Sequence, residues 1–270
     1  MPAPAPPPRR RFSQNFLRNP AVAEHIVRAV GAGPDDHIVE IGPGRAALSG
    51  PLAATGARLD LIEIDRDLAA ALRSRFADEP RVTVHAADAL RVSLAEIAGT
   101  ARVRVVGNLP YNISTPLLFR LLDQLPVIED LHLMLQREVV ERMAARPGEA
   151  AYGRLSVMLQ RQVRVEALFT VPASAFRPVP KVESAFARLR PHLAPPVRVE
   201  DPRRFAEVVA RAFSARRKTI RNGLRGLLDA QEIAACGIDP GVRPERLGLA
   251  DFAALANAAT AAAVTPRNCG

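Results

Sequence analysis

Between residues 37 and 135, short β-branched runs alternate with stretches of helical period, and this alternation constrains the chain more than any other feature. His37–Ile41, Arg58–Ile64, Arg81–His85, Val103–Val106 and Asp130–Leu135 read as strands, and 46–54, 66–76, 93–98 and 114–124 read as helices between them. Strands separated by helices pair in parallel, because each crossover returns the chain to its starting edge. The expected fold class is therefore α/β, a mainly parallel sheet with helices on both faces. Such sheets bind ligands beyond the carboxyl ends of their strands, so the chemistry belongs in the segments just after each strand.

The rest of the chain organises around this block. Asn19-Pro20 opens a helix through Ala21–Val30, with Asn19 as cap and Pro20 at the first helical position. Leu155–Gln162 reads as helix, and Val163–Val171 and Ser184–Arg190 as strands flanking a Pro-rich loop. The stretch Pro191–Pro196 punctuates the chain, which gives a first domain over 12–193 and a second over 194–270. The second reads as all helical, at about 202–214, 216–228, 229–236 and 250–263. Residues 1–11, rich in Pro and Ala, read as a disordered tail.

Charge and cysteine content narrow the function classes. The net charge is +9, and residues 181–270 carry 15 basic against 9 acidic residues, so the last third is the more basic part. A polyanionic partner fits that balance, as does a solvated basic surface. Cys236 and Cys269 cannot make a disulfide framework and have no metal-ligand spacing around them, which points to a reducing cytoplasm. The five histidines are scattered, so no metal is expected. No run approaches the roughly 18 apolar residues of a membrane span, and no secretory signal is read at the N-terminus.

Glu40-Ile-Gly-Pro-Gly44 directly follows a strand, where glycines let backbone amides approach a ligand at the start of the next helix. Glu63 and Asp65 follow at the second strand end, where an acid can accept both hydroxyls of a ribose. This pattern suits a nucleoside cofactor, whether NAD or S-adenosylmethionine. Asp88 adds a carboxylate at the third strand end, able to accept from an adenine amine or to cap a helix. The discriminating segment is Gly107-Asn108-Leu109-Pro110-Tyr111-Asn112 after the fourth strand. The lone pair of an adenine N6 is delocalised, and acceptors aimed at both amine hydrogens favour the pyramidal geometry that attack requires. The Asn108 side-chain oxygen and the Leu109 carbonyl can supply them, with Pro110 restricting the residue before it. Tyr111 offers an aromatic face to a flipped base. Hydride transfer has no use for this set.

Three further segments carry alternatives. In Ser174–Ser184, Phe176 either covers the other face of the base or packs into the core, while Arg177 and Lys181 can meet phosphates. At the front, Arg11–Leu17 either closes over the cofactor through Gln14 and Asn15 or is anchored by Phe12 and Phe16. Residues 203–225 hold eight basic residues against one acid, with the core Arg216-Arg217-Lys218 and Arg221. Read as one helix, Arg217, Arg221 and Arg225 share a face suited to an RNA backbone, or simply to solvent.

Taken together these motifs resemble the small-subunit ribosomal RNA adenine N6-dimethyltransferases, the KsgA or RsmA family. The resemblance runs from about Phe12 to Ala259 and includes Tyr152-Gly-Arg-Leu-Ser156 and Arg216-Arg-Lys-Thr-Ile-Arg-Asn222. It implies a Rossmann-like class I methyltransferase sheet with a small C-terminal all-helical domain. It implies S-adenosylmethionine held at Asn15, Leu17, Gly42, Glu63, Asp88 and Asn108, with no metal. Asn108 and Leu109 would polarise the amine, with Pro110 aiming the Leu109 carbonyl, and Tyr111 and Phe176 would stack on the adenine. The implied substrate is a pair of adjacent adenines in the hairpin near the 3′ end of 16S rRNA, each dimethylated on a nearly assembled small subunit by a monomeric enzyme. The erythromycin-resistance type of large-subunit rRNA adenine methyltransferase shares the glycine turn and a similar Asn-Leu-Pro loop. The Tyr-Gly-Arg-Leu-Ser and Arg-Arg-Lys-Thr-Ile-Arg-Asn segments favour the small-subunit family. A non-catalytic assembly factor keeping the fold and its basic face is the alternative of a different class, and the intact Asn108–Tyr111 loop argues against it.

Overall fold

The structure is a computed structural model, and it describes residues 15–214 and 218–264. The 1–11 tail, Phe12–Gln14 of the front motif, and Arg216 and Arg217 lie outside the described residues. In chain order the elements are β1 (Phe16–Leu17), α1 (Pro20–Val30), β2 (His37–Ile41), α2 (Ser49–Ala53), β3 (Arg58–Glu63), α3 (Arg66–Arg75), β4 (Val82–Ala86), α4 (Leu94–Ala98), β5 (Val103–Asn108), α5 (Ser114–Leu122), β6 (Ile128–Gln136) and α6 (Arg137–Ala144). They continue as α7 (Arg154–Gln160), β7 (Val163–Val171), β8 (Phe176–Arg177), β9 (Ser184–Pro191), α8 (Pro202–Ala212), α9 (Ile220–Gly223), α10 (Ala230–Ala235) and α11 (Leu249–Val264).

The chain divides into two compact units, one formed by the segments up to Val140 and Glu166–Pro191, the other by Glu141–Val165 and the chain from His192. In the first unit the sheet order is β4-β3-β2-β5-β6-β9-β7. Strands β4 to β6 pair in parallel, and β9 runs antiparallel to β6. After β2 the chain fills the β3–β4 side, then crosses to β5. The carboxyl ends of β2 and β5 therefore flank the switch point, where loops leave in opposite directions and open a crevice. Strand β2 is buried along its whole length, as a central strand covered on both faces must be.

Polar ties hold the sheet from behind. The buried Asp60 accepts from Nε2 of His37 and of His85, at 2.6 Å each, linking β2, β3 and β4. Arg104 donates to both oxygens of Asp130 at 3.0 and 2.9 Å, to Asp36 at 3.1 Å and to the Val30 carbonyl at 2.7 Å. Asn19 caps α1 through the amides of Ala21 and Val22, and Gly31 ends it in the left-handed conformation at φ +65°.

Two expectations are corrected. Glu141–Val165 belongs to the helical unit, although its last three residues open β7 of the sheet. The Tyr152 hydroxyl donates to the Leu247 carbonyl at 2.9 Å, its ring meets Phe213 edge-on, and Val157 lies in one core with Phe205 and Phe252. The helix expected over 216–228 is short: α9 covers Ile220–Gly223 and the chain turns from Leu224. Gly226, at φ +86°, takes a conformation that favours glycine and interrupts a helix there.

Candidate active site

The first wall of the crevice is the turn after β2. Gly44 sits at φ +56°, and a Cβ there would fall 2.9 Å from two ring carbons of Phe16, so the position is closed to any side chain. The Gly44 amide donates to Oε2 of Glu63 at 3.0 Å, and the Asp65 amide donates to Oε1 at 3.0 Å. Glu63 is thus fixed at the end of β3 by two backbone donors, and each oxygen keeps a further lone pair. Burial raises its affinity for a proton, and the amides of Asp65 and Gly44 act against that rise. Asp65 does not line the crevice. It caps α3, accepting from the Asp67 amide at 3.0 Å. Asp88 does line it, with Oδ1 accepting from the Leu90 amide at 3.0 Å.

Glu40 has a larger role than its place in the glycine motif suggested. It is 2% exposed and lines the crevice, and burial pushes its carboxyl up to about 7, with Ser49 easing the rise and Glu63 adding to it. Neither Glu40 Oε2 nor the Ser49 hydroxyl oxygen completes a hydrogen bond of ordinary geometry among the described residues. The signal was present in the sequence, as one acid within the otherwise apolar run Ile38-Val-Glu-Ile41.

The opposite wall is the loop after β5. A Cβ on Gly107 would lie 2.9 Å from Leu109 Cδ2 and 3.0 Å from the Ile41 carbonyl, so the close approach of β5 to β2 requires glycine there. Asn108 Nδ2 donates to the Asn15 carbonyl at 3.0 Å. A carbonyl only accepts, so the amide nitrogen must face Asn15 and the amide oxygen must face away. The Leu109 amide is taken by the Met134 carbonyl at 3.1 Å, which extends the sheet register to the edge of the crevice. The Tyr111 hydroxyl bonds the buried Ser184 Oγ at 2.7 Å. Burial pushes that phenol above its ordinary range, so it stays protonated at neutral pH.

The N-terminal segment closes the third side. β1 pairs antiparallel with β8, Phe16 opposite Arg177 and Leu17 opposite Phe176, and the Arg18 amide donates to the Ala175 carbonyl at 2.8 Å. The Arg45 guanidinium stacks over the Phe16 ring at 4.8 Å. Phe176 is 1% exposed and packs in the core with Leu17 and Phe186, so in this conformation it offers no face to a base. The core alternative is the observed one. Arg177, the last residue of β8, and Lys181, on the loop that follows, are both exposed.

The crevice opens to solvent. It gathers Asn15, Leu17, Gly42, Glu63, Asp88 and Asn108 together with Leu109, Pro110 and Tyr111, and Phe176 is not among its lining residues. In the helical unit, Lys218 and Arg221 are exposed, but Lys218 precedes α9 rather than lying on it.

A crevice at this switch point, with acids at successive strand ends and an Asn-Pro loop facing them, is the arrangement of Rossmann-like methyltransferases. The fold agrees. The structure is similar to the crystal structure of the 23S rRNA methyltransferase ErmE, with a TM-score of 0.73 and 26% identity over 91% of this chain and 100% of that one. A dimethyladenosine transferase from Plasmodium falciparum shares the fold at a TM-score of 0.76 and 24% identity, over 89% of this chain and 95% of that one. The protein belongs to the ribosomal RNA adenine dimethylase family, whose model matches residues 7–261, and it is an S-adenosylmethionine-dependent methyltransferase. It is 53% identical to the ribosomal RNA small subunit methyltransferase A of Methylococcus capsulatus, over 92% of this chain and 96% of that protein. It is 51% identical to the protein of the same name from Pseudomonas aeruginosa, over 92% and 93% of the two chains. The match begins at residue 7, slightly ahead of Phe12, so the last residues of the N-terminal tail belong to it.

Proposed function

We propose that this protein transfers methyl groups from S-adenosylmethionine to N6 of two adjacent adenines in the 3′-terminal hairpin of small-subunit (16S) rRNA, two to each adenine, during late subunit assembly. The observation that carries the reading is the orientation of Asn108. Its amide nitrogen is held by Asn15, so its oxygen is available to accept from a substrate amine beside the cofactor crevice.

The residues suit the cofactor. Glu40, Glu63 and Asp88 bring three carboxyl groups to one crevice, and the ligand offers two ribose hydroxyls, an adenine amine and positive charge. Asn15, Leu17, Gly42, Glu63, Asp88 and Asn108 would hold it. Bound, it supplies a methyl activated by cationic sulfur, so no metal and no covalent enzyme intermediate are needed. The chain's own contribution is positioning. Asn108 Oδ1 and the Leu109 carbonyl accept the two amine hydrogens in the first transfer, and one of them accepts the single remaining hydrogen in the second, turning the nitrogen lone pair toward the methyl. Pro110 restricts Leu109, and the half-buried Tyr111 ring gives the base a face to stack on. A second face, from Phe176, requires that side chain to leave the core.

RNA would be gripped at two places. One is the exposed pair Arg177, at the end of β8, and Lys181, on the loop after it. In the helical unit, Arg216, Arg217, Lys218 and Arg221 form one run, and Arg221 and Arg225 line a surface recess with Asn222. Neither arginine has an acidic partner among the described residues. We place the enzyme in the cytoplasm, acting as a monomer on the small ribosomal subunit; no helix among the described residues is long and apolar enough to cross a membrane.

Tritiated-methyl transfer to isolated small and large subunits lacking these modifications, followed by mapping of the modified base, tests the proposal. Transfer to two adjacent adenines of the small subunit is expected. Transfer to the large subunit would instead favour a 23S rRNA methyltransferase activity like that of ErmE, and transfer to neither would overturn both.

A further inference from the structure

We infer that the main-chain carbonyl of Asn15 is a positioning group for methyl transfer, because it sets which end of the Asn108 amide faces the substrate. The inference rests on the reading of Asn108 as the acceptor of the amine hydrogens. It gives the N-terminal segment a part in the chemical step, in addition to lining the cofactor crevice.

A carboxamide presents nearly the same shape either way round, and its two ends have opposite hydrogen-bonding character. If Asn108 turned its NH2 toward an adenine amine, two donors would oppose each other and the nucleophile would be repelled. Something must therefore fix the amide. Among the described residues the side chain is held from outside its own loop, by the hydrogen bond from Asn108 Nδ2 to Asn15 O at 3.0 Å, across 93 residues of sequence.

That carbonyl is held in place by one strand ladder and by the packing of the Phe16 ring. β1 is hydrogen-bonded to β8 with Leu17 opposite Phe176. The Arg18 amide donates to the Ala175 carbonyl at 2.8 Å. The Phe16 ring fills the space that a side chain on Gly44 would take, with the Arg45 guanidinium on its other side at 4.8 Å. The segment thus bridges the glycine turn, the Asn108 loop and the loop that carries Phe176. Displacing Phe16 from Gly44 would withdraw the Asn15 carbonyl and leave the Asn108 amide free to rotate.

The test is Asn108→Asp. A carboxylate can accept from the substrate amine as well as an amide does, so if acceptance were the whole role the variant would work. It has no hydrogen to offer Asn15, however, and its second oxygen would oppose the carbonyl. Single-turnover transfer at saturating cofactor and RNA should fall about a hundredfold at pH 8, the scale of a misplaced reacting group. Hydrogen-exchange protection of residues 16–18, measured on the protein alone and corrected for intrinsic pH dependence, should fall with it. Acidification toward pH 4, the ordinary range of an aspartate, protonates the carboxyl, which can then donate to Asn15, and both rate and protection should recover in part. The wild type should show no such acid-side rise.

A variant with the wild-type rate at pH 8 and unchanged protection overturns the inference. If the variant is inactive at every pH, protection decides: a loss at pH 8 that acid restores supports the inference, and unaltered protection overturns it. Phe16→Ala is the second variant, because it leaves Asn108 intact. The inference expects a lower kcat at saturating cofactor, whereas a segment that only covered the cofactor would raise KM alone. Absence of transfer by the wild type to any ribosomal subunit would sink the functional reading, and the exchange measurements would still stand.

Discussion

Replacing Glu40 with glutamine should make the protein more stable at alkaline pH while leaving it nearly unchanged in acid. Glu40 is 2% exposed, and burial raises its carboxyl from an ordinary 4.5 to about 7. The folded-state value is the higher one, so the folded chain binds the proton more tightly than the unfolded chain. The contribution to stability is complete below pH 4.5 and is lost as the pH climbs through 7. At about 1.4 kcal/mol for each factor of ten, the folded state gives up about 3 kcal/mol by pH 8. Glutamine has the same shape and carries no charge to bury, so Glu40→Gln escapes that loss. At about 2–4 °C per kcal/mol for a chain of this size, the variant should melt about 6–12 °C above the wild type at pH 8. At pH 4.5 the two curves should nearly coincide. Calorimetric melts of ligand-free protein at the two pH values are sufficient. An equal offset at both, or a variant less stable than the wild type at pH 8, would refute the argument from burial.

Glu63→Ala should weaken S-adenosylmethionine binding by calorimetry, at about 1.5–3 kcal/mol per lost charged hydrogen bond, and should lower the melting temperature as well, because the same carboxylate anchors Gly44 and Asp65. Unchanged cofactor affinity would remove Glu63 from the site. Asp60→Ala should cost about 2–5 kcal/mol by denaturant melt, since it strands His37 and His85, and should spare cofactor affinity because Asp60 points to the sheet face opposite Glu63. Charge reversal of Lys218 and Arg221 should weaken binding to small ribosomal subunits and make the salt dependence shallower by roughly one unit per lost phosphate contact; an unaltered slope with a lower melting temperature would mean these residues stabilise the fold instead.

The sheet was legible because its strands are buried on both faces and read as short apolar runs. Four of the five parallel strands fall within a residue or two of where the pattern puts them, and β6 extends to Ile128–Gln136. The helix α6 was missed because it starts at Arg137 directly after β6, with no turn residue between, and because four of its eight residues are charged. The unit boundary misled for a different reason. Linear punctuation at Pro191–Pro196 marks one place where the chain changes unit, but the earlier passage near Glu141 depends on Tyr152 finding Phe213 and Leu247, and no local pattern encodes that. In the site, residue identities were legible and burial was not. Phe176 and Glu40 show it in opposite ways. The aromatic was left between a place over the base and a place in the core, and it lies in the core, while the acid was read as part of a turn motif and sits ionisable at the wall of the crevice.

The contacts that complete the crevice also bear on when it can exist during synthesis. Asn15 meets Asn108 across 93 residues and Tyr111 meets Ser184 across 73, while Leu17 waits for Phe176. A vectorially emerging chain can pair β2 with β3, and β3 with β4, early, since those crossovers are short. The N-terminal strand has no partner until β8 has left the ribosome, and Tyr111 has none until β9 follows. Loop closure over such separations is slow compared with local pairing. The nascent enzyme therefore holds its glycine turn long before it holds a catalytic loop, and the pocket is among the last parts of the first unit that translation can finish.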